Sequence, residues 1–99
     1  MKEVEFGKNQ AVYHENGGLR YRVPLGGDYE LSIICTDTSY GGPDGLYEIA
    51  LMDASVDRIV SLCGIIEGFD GDDVLGFLTE DDVRSYMKTI KKFVKEVLA

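Results

Sequence analysis

Residues 79–98 read TEDDVRSYMKTIKKFVKEVL, a stretch whose apolar side chains recur at intervals of three and four. Thr79 is typical of a helix N-cap, and the carboxylates that follow it suit the positive end of the helix dipole. Asp82 takes the third position of a capping box, where Glu or Gln is more usual. One apolar stripe follows the predicted helix: Val83, Tyr86, Met87, Ile90, Phe93, Val94 and Val97. About 20 residues at 1.5 Å each give a length of roughly 30 Å, enough to cross one face of a small sheet.

Before residue 79 the apolar residues alternate instead, as they do in β-strands. Asn16-Gly17 separates two such segments, 11–15 and 18–23, and this dipeptide tolerates the positive φ values of a hairpin turn. Pro24 has no N–H to pair in a sheet, so the second segment ends there or lies at an edge. Further strands are predicted over 29–36, 47–52 and 58–62. Because Ile34 adds an apolar residue to the second face of its strand, we place that strand centrally.

These patterns predict one α+β domain over residues 1–99, with an antiparallel β-sheet of four to five strands and one long C-terminal helix packed across one face. Residues 1–66 are expected to be mainly β, 67–78 an acidic loop and 79–98 the helix. Part of this loop region stays open, since Ile65-Ile66 could extend a strand and 70–75 could form a short helical turn.

Charge divides the chain into an acidic body and a basic helix. Residues 1–83 hold seventeen acidic against five basic residues, a net −12, whereas residues 84–99 hold one against five, a net +4. The total of −8 repels phosphates and anionic lipids, so direct nucleic-acid or membrane binding is not expected. No apolar run approaches the roughly 20 residues of a membrane span, and the N-terminus lacks a signal-peptide pattern. Cys35 and Cys63 lie in apolar segments without CxxC spacing, which predicts two buried, reduced thiols.

Patterns for catalysis and metal binding are weak. His14 is the single histidine, so neither a zinc site nor a Ser or Cys nucleophile with a histidine base is expected. Residues 70–81 match part of a calcium loop but lack its sharp-turn glycine and final glutamate. Residues 37–48 match slightly better, yet Gly41 offers no ligand at position five, and a flexible hairpin loop is the favoured interpretation. We therefore predict no enzymatic activity, no metal and no cofactor.

Acidic loops supply the candidate contact residues. Seven carboxylates without a base fall within 67–82, and they form either a solvated loop with a helix start or a protein-binding edge. Other acidic residues fall in loops that we expect to share one end of the sheet. Tyr40, within a Gly-rich loop, either contacts a partner or folds back over the sheet edge. The predicted partner-binding residues are Asp37, Tyr40, Asp44, Asp53, Asp57, Glu67, Asp70, Asp72 and Asp73.

The segments LYEIALM at 46–52 and GFLTEDDV at 76–83 resemble the layout of small acidic proteins from phages and mobile elements. In those proteins a YEIAL-type strand is followed by a G-x-L-T-E-x-x-V helix entry. Some of them are anti-CRISPR inhibitors that offer carboxylates in place of DNA phosphates. The resemblance, which spans roughly residues 46–95, implies a non-enzymatic inhibitor in the cytoplasm of a bacterial host. Its expected partner is a basic protein such as a nuclease, whose DNA channel an acidic surface can occupy.

Two other functions stay open. An immunity protein that neutralises a toxin nuclease needs the same acidic surface. A self-associating structural or regulatory domain, for instance a homodimer, would explain apolar residues expected on the second face of the sheet. Those residues are Ile34, Met52, Val60 and Leu62.

Overall fold

An antiparallel sheet backed by one C-terminal helix makes up the described part of the chain, which confirms the predicted α+β fold. The computed structural model describes residue 6, the backbone of residues 12–14, and residues 18–66, 68 and 73–98. The strands are β1 (Val12–His14), β2 (Gly18–Gly26), β3 (Tyr29–Cys35), β4 (Tyr47–Asp53), β5 (Arg58–Val60) and β6 (Val74–Leu78). A 3₁₀ turn spans Gly42–Asp44, and helix α1 (Glu80–Phe93) continues into a π-helical segment, Val94–Leu98.

The sheet is five strand positions wide, because two short strands share its last position. Strands β1 to β4 lie side by side in chain order, and β3 is central as predicted. The free edge of β4 pairs with β5 along 51–53 and with β6 along 47–50. Segment 61–73 follows β5 and precedes β6 in the chain, and its described residues, 61–66, 68 and 73, belong to neither strand.

The acidic loop predicted over 67–78 is therefore too long, since β6 occupies Val74–Leu78. This segment lacks the clean alternation that marks a strand in the sequence. It forms one because the edge of β4 offers backbone partners that a loop would leave unpaired. Glu67 and residues 69–72 of the predicted loop lie outside the described residues.

The N-terminal hairpin forms as predicted, with Tyr13 opposite Leu19 across β1 and β2. Its predicted Asn16-Gly17 turn lies outside the described residues. Strand β2 continues past Pro24 to Gly26, and its register against β3 shifts between these two residues. Irregularities of this kind accommodate proline within a sheet.

Helix α1 and the π-helical segment cover one face of the sheet. Alternate residues of β2, β3 and β4 are buried there, among them Tyr21, Ile33 and Leu51, together with Val83, Ile90 and Val94 of the helical part. Two residues expected on the second face also belong to this core, so that expectation is wrong for them. Val60 lies directly opposite Leu51 and therefore shares its face, and Leu62 is fully buried.

The predicted start of the helix is confirmed, but its last turn differs from the prediction. Thr79 is the N-cap: its Oγ1 accepts from the Asp82 amide at 3.1 Å, and its amide donates to Asp82 Oδ2 at 3.0 Å. Val97, expected in the apolar stripe, is 61% exposed, and Leu98 packs against the core instead. The π-helical turn widens the repeat and so rotates these last residues. Within the described ranges, no helix is both long and apolar enough to cross a membrane.

Phe6 fills the core between two tyrosines. Its ring makes edge-to-face contacts with Tyr21 at 4.8 Å and Tyr47 at 5.3 Å between centroids. Burial raises the pKa of Tyr47 to about 12. The guanidinium of Arg84 lies 5.4 Å from the centre of the Phe6 ring. Aromatic and cationic groups therefore close this part of the core.

The two cysteines occupy different environments, and both are free thiols. Cys35 is buried on β3, where burial raises its pKa and Sγ lies 3.7 Å from the Gly42 carbonyl oxygen. Cys63 is exposed, so the prediction of two buried cysteines is wrong for this residue. It falls in the 61–73 segment, beyond the last residue of β5.

Candidate functional site

The predicted acidic contact residues do not share one end of the sheet. Asp37 and Asp44 lie in the loop between β3 and β4, at the end where β4 begins. Asp53 closes β4, and Asp57 lies in the following turn at the opposite end. Six residue steps along β4 separate the two ends by roughly 20 Å. The expectation of a shared end is wrong because consecutive hairpin loops of an antiparallel sheet alternate between its ends.

Local structure explains the two carboxylates at the far end. Asp53 Oδ1 accepts from the Ser55 amide at 3.0 Å and from the Ser55 hydroxyl at 2.6 Å, which fixes the turn. Asp57 has a φ of 52°, a left-handed conformation that Asp tolerates better than most residues. These residues thus have a role in the turn. Asp73 is exposed just before β6, and the other three predicted contact residues, Glu67, Asp70 and Asp72, lie outside the described part.

The loop from Thr36 to Leu46 is a hydrogen-bonded structure rather than the flexible connection that we predicted. The Thr36 amide donates to Ser39 Oγ at 2.9 Å, and the Ser39 hydroxyl donates back to the Thr36 carbonyl at 3.1 Å. Both side chains are buried. Gly41 and Gly45, with φ of 88° and 76°, bound the 3₁₀ turn between them. Two positive-φ glycines and a buried hydroxyl pair therefore fix the loop's shape.

This loop folds back over the sheet edge at Tyr40 while the Tyr40 ring stays in solvent. The Phe77 amide of β6 donates to the Tyr40 carbonyl at 3.1 Å, and the Tyr40 amide donates to Glu48 Oε1 at 3.0 Å. A Cβ added at Gly76 would overlap Cβ of Tyr40, so glycine is needed where the two backbones meet. Tyr40 thus satisfies both interpretations of its sequence context: its backbone covers the edge, and its ring remains available.

The Tyr40 ring stacks on Phe77, which the sequence analysis did not single out. Their centroids are 6.5 Å apart and their planes meet at 29°, with Tyr40 54% and Phe77 62% exposed. Phe77 has a φ of 58°, which costs a residue with a Cβ about 1–2 kcal/mol. The neighbouring Leu78 is buried opposite Tyr47. Because adjacent residues of a strand point to opposite faces, the two consecutive apolar residues before the helix cap were a signal that one of them faces outward.

Carboxylates occupy the segments that carry this aromatic pair, and one of them contacts Tyr40 directly. Glu48 is held against the Tyr40 amide, Asp37 and Asp44 are exposed in the same loop, and the helix begins at Glu80, three residues after Phe77. We call this region the aromatic–acidic surface; its residues are Asp37, Tyr40, Asp44, Glu48, Phe77, Glu80 and Asp81. Aromatic faces and carboxylates both attract cations.

Aromatic rings and carboxylates are the functional groups of the aromatic–acidic surface. Among the residues with described positions, no three His, Cys, Asp or Glu side chains are grouped so that they could hold a metal ion. The surface combines an exposed aromatic pair with carboxylates, one of which, Glu48, is hydrogen-bonded to the Tyr40 amide. Comparison with protein-family models, with curated proteins and with solved structures finds no match to the chain.

Proposed function

We propose that this protein is a non-enzymatic binding protein that blocks a basic, nucleic-acid-handling partner. The observation that carries the proposal is the exposed Tyr40–Phe77 pair, which lies at a hydrogen-bonded loop with the Glu48 carboxylate on the Tyr40 amide. Exposed aromatic residues on a rigid frame supply much of the binding energy of protein interfaces. Surrounding carboxylates raise the association rate with a basic protein and disfavour acidic ones.

A nuclease is the class of partner that suits this surface best. Proteins that hold nucleic acid line their binding channel with Lys and Arg, whose charge is uncompensated when the nucleic acid is absent. A folded protein with a net charge of −8 competes for that channel. An anti-CRISPR-like inhibitor of a defence nuclease and an immunity protein against a toxin nuclease use the same contact chemistry. They differ in genomic neighbourhood, among phage genes for the first and beside a toxin gene for the second.

Self-association is the second candidate function. Two of the four apolar residues that suggested it are not on the helix-free face. Val60 and Leu62 face the helix-covered core. On the helix-free face Ile34 and Met52 remain, joined by Ile59, which is 45% exposed. Ile34 lies opposite Glu48, so Met52 and Ile59 are the neighbouring pair. This apolar pair is the observation that favours a homodimer, and sedimentation at micromolar concentration tests it.

The proposed function is tested by competition with DNA. A panel of purified RNA-guided and toxin nucleases is incubated with labelled DNA and increasing amounts of this protein, at low and high salt. We expect at least one nuclease to release its DNA, with an apparent affinity for the inhibitor that falls steeply as salt rises. An inhibition that leaves DNA binding intact, or that is insensitive to salt, contradicts the proposal.

Charge-reversal variants distinguish the effect of the aromatic–acidic surface on the association rate from the effect of the net charge. Asp37→Lys with Asp44→Lys should slow association on the order of tenfold, since rim charges act mainly on the association rate. The matched control, Asp28→Lys with Glu30→Lys, changes net charge equally at the opposite end of the sheet. Equal slowing by both pairs would mean that charge acts without regard to position.

A further inference from the structure

We infer that Tyr40, Phe77 and Glu48 together form a receptor for an arginine side chain of the partner, an inference that rests on the proposed binding function. Phe77 and Glu48 both contact Tyr40, Phe77 through the ring stack and a backbone hydrogen bond, and Glu48 through the Tyr40 amide. An arginine guanidinium is planar, stacks on aromatic faces and donates several N–H groups to carboxylates. The aromatic pair offers the stacking surface and Glu48 the acceptor.

Glu48 is positioned for this role by its bond to the loop backbone. Its Oε1 accepts from the Tyr40 amide at 3.0 Å, which holds the carboxylate beside the residue whose ring is exposed. In the described part of the chain, Oε2 makes no hydrogen bond. A guanidinium that lies over the Tyr40 ring can therefore donate to a carboxylate that needs no rearrangement, which lowers the entropic cost of binding.

The same protein already contains this arrangement with its cation in place. Arg84 lies 5.4 Å from the centre of the Phe6 ring and contacts the carboxylates of Glu80 at 3.9 Å and Asp81 at 3.7 Å. At Tyr40 and Phe77 the ring and the carboxylate are present, and no cation from the described residues stands over either ring. An arginine from another protein completes the set of ring, carboxylate and cation.

Arginine rather than lysine follows from the stack. The carboxylates of the aromatic–acidic surface attract either cation from a distance. A lysine ammonium is compact and strongly hydrated, so it gains less from a flat aromatic surface than a guanidinium does. The ring pair is therefore the element that discriminates between the two side chains.

Two peptides of equal charge, hexa-arginine and hexa-lysine, test the inference by calorimetric titration at the same salt concentration. We expect hexa-arginine to bind about two- to fivefold more tightly, the ratio typical of one exposed cation–π contact. Tyr40→Ser combined with Phe77→Gly removes both rings and no charge, and should bring the ratio to about one. Phe77→Gly alone, which suits the φ of 58° there, should lower the ratio in part and guards against a double variant that fails to fold. Val56→Ser, at an exposed position at the other end, is the matched control and should leave the ratio unchanged.

The negative outcomes distinguish the arginine receptor from the proposed binding function. Equal affinities of the two peptides for the unaltered protein, both sensitive to salt, overturn the arginine receptor and leave the proposed function standing. A preference for arginine that survives removal of both rings also overturns it. If neither peptide binds even at low salt, the acidic docking surface itself is contradicted, and the proposed function with it.

Discussion

Replacing Gly42 with alanine should disrupt the loop that carries Tyr40, because the space beside its Cα is occupied by backbone. A Cβ built there would overlap the carbonyl oxygen of Thr36 and the Oγ of Ser39, and would stand 2.8 Å from the Thr36 carbonyl carbon. A carbonyl group cannot rotate away as a side chain can. The φ of Gly42 lies outside the left-handed region, so the overlap is the only cost of the substitution.

The magnitude follows from the hydrogen bonds that must break for the turn to move. Of the bonds between Thr36 and Ser39, two buried ones involve the Ser39 Oγ that the added Cβ would displace, at 2.9 and 3.1 Å, and each contributes about 1 kcal/mol to stability. Displaced packing around the buried Ser39 brings the expected loss to about 2–3 kcal/mol. For a domain of this size that corresponds to a fall in Tm of roughly 10–20 °C.

Gly45→Ala is the matched control in the same loop. Its φ of 76° strains an alanine, but nothing lies within 4 Å of the added Cβ, so we expect a loss of only about 1 kcal/mol. Urea unfolding of both variants gives the two free energies of unfolding. If Gly42→Ala is no more destabilising than Gly45→Ala, the loop adjusts to the added Cβ at little cost, and Tyr40 does not stand on a rigid loop.

Three further predictions concern the helix cap, a buried tyrosine and the thiols. Thr79→Ala should lower the free energy of unfolding by about 1 kcal/mol. The control Thr89→Ala, at an exposed position in the middle of the helix, should change it by less than about 0.5 kcal/mol. Equal losses of the two variants in urea unfolding would argue against the capping box. Because the pKa of Tyr47 is raised to about 12 from an unfolded value of about 10, the unfolded state loses this proton first. The buried phenol of Tyr47 therefore contributes its full stability below about pH 10, and this contribution is lost as pH rises toward about 12. Tyr47→Phe should thus destabilise the protein less at pH 11 than at pH 8. A difference in stability that does not depend on pH contradicts the raised pKa. A thiol reagent should modify Cys63 rapidly and Cys35 only on unfolding, and rapid modification of both would show that β3 is open to solvent.

Local signals sufficed for the helix and for most strands. Thr79 and Asp82 satisfy one another within four residues, and the apolar stripe from Val83 depends only on helical spacing. The last turn escaped prediction because its π-helical geometry is not encoded in a pattern that assumes 3.6 residues per turn, and so Val97 is exposed. Strand β6 escaped because its stability comes from the edge of β4, a partner distant in sequence.

One of the two aromatic residues of the candidate site could be predicted from the sequence. Tyr40 stood out because no periodic pattern placed it in the core, and the structure leaves its ring exposed. Phe77 could not be paired with it, since their contact joins a loop to a strand that forms only in the assembled sheet. The opposite placement of Asp44 and Asp57 was available from topology alone, because they lie in consecutive hairpin loops.

We expect a basic partner to contact the protein at the aromatic–acidic surface rather than wherever negative charge lies. Mapping of backbone amide shifts during titration with hexa-arginine locates this contact residue by residue. We expect the largest shifts within 37–48 and 76–81, with little change in the turns around Asp28 and Ser55 at the other end. Shifts concentrated at that other end or within 61–73, or spread evenly over all acidic loops, would contradict it.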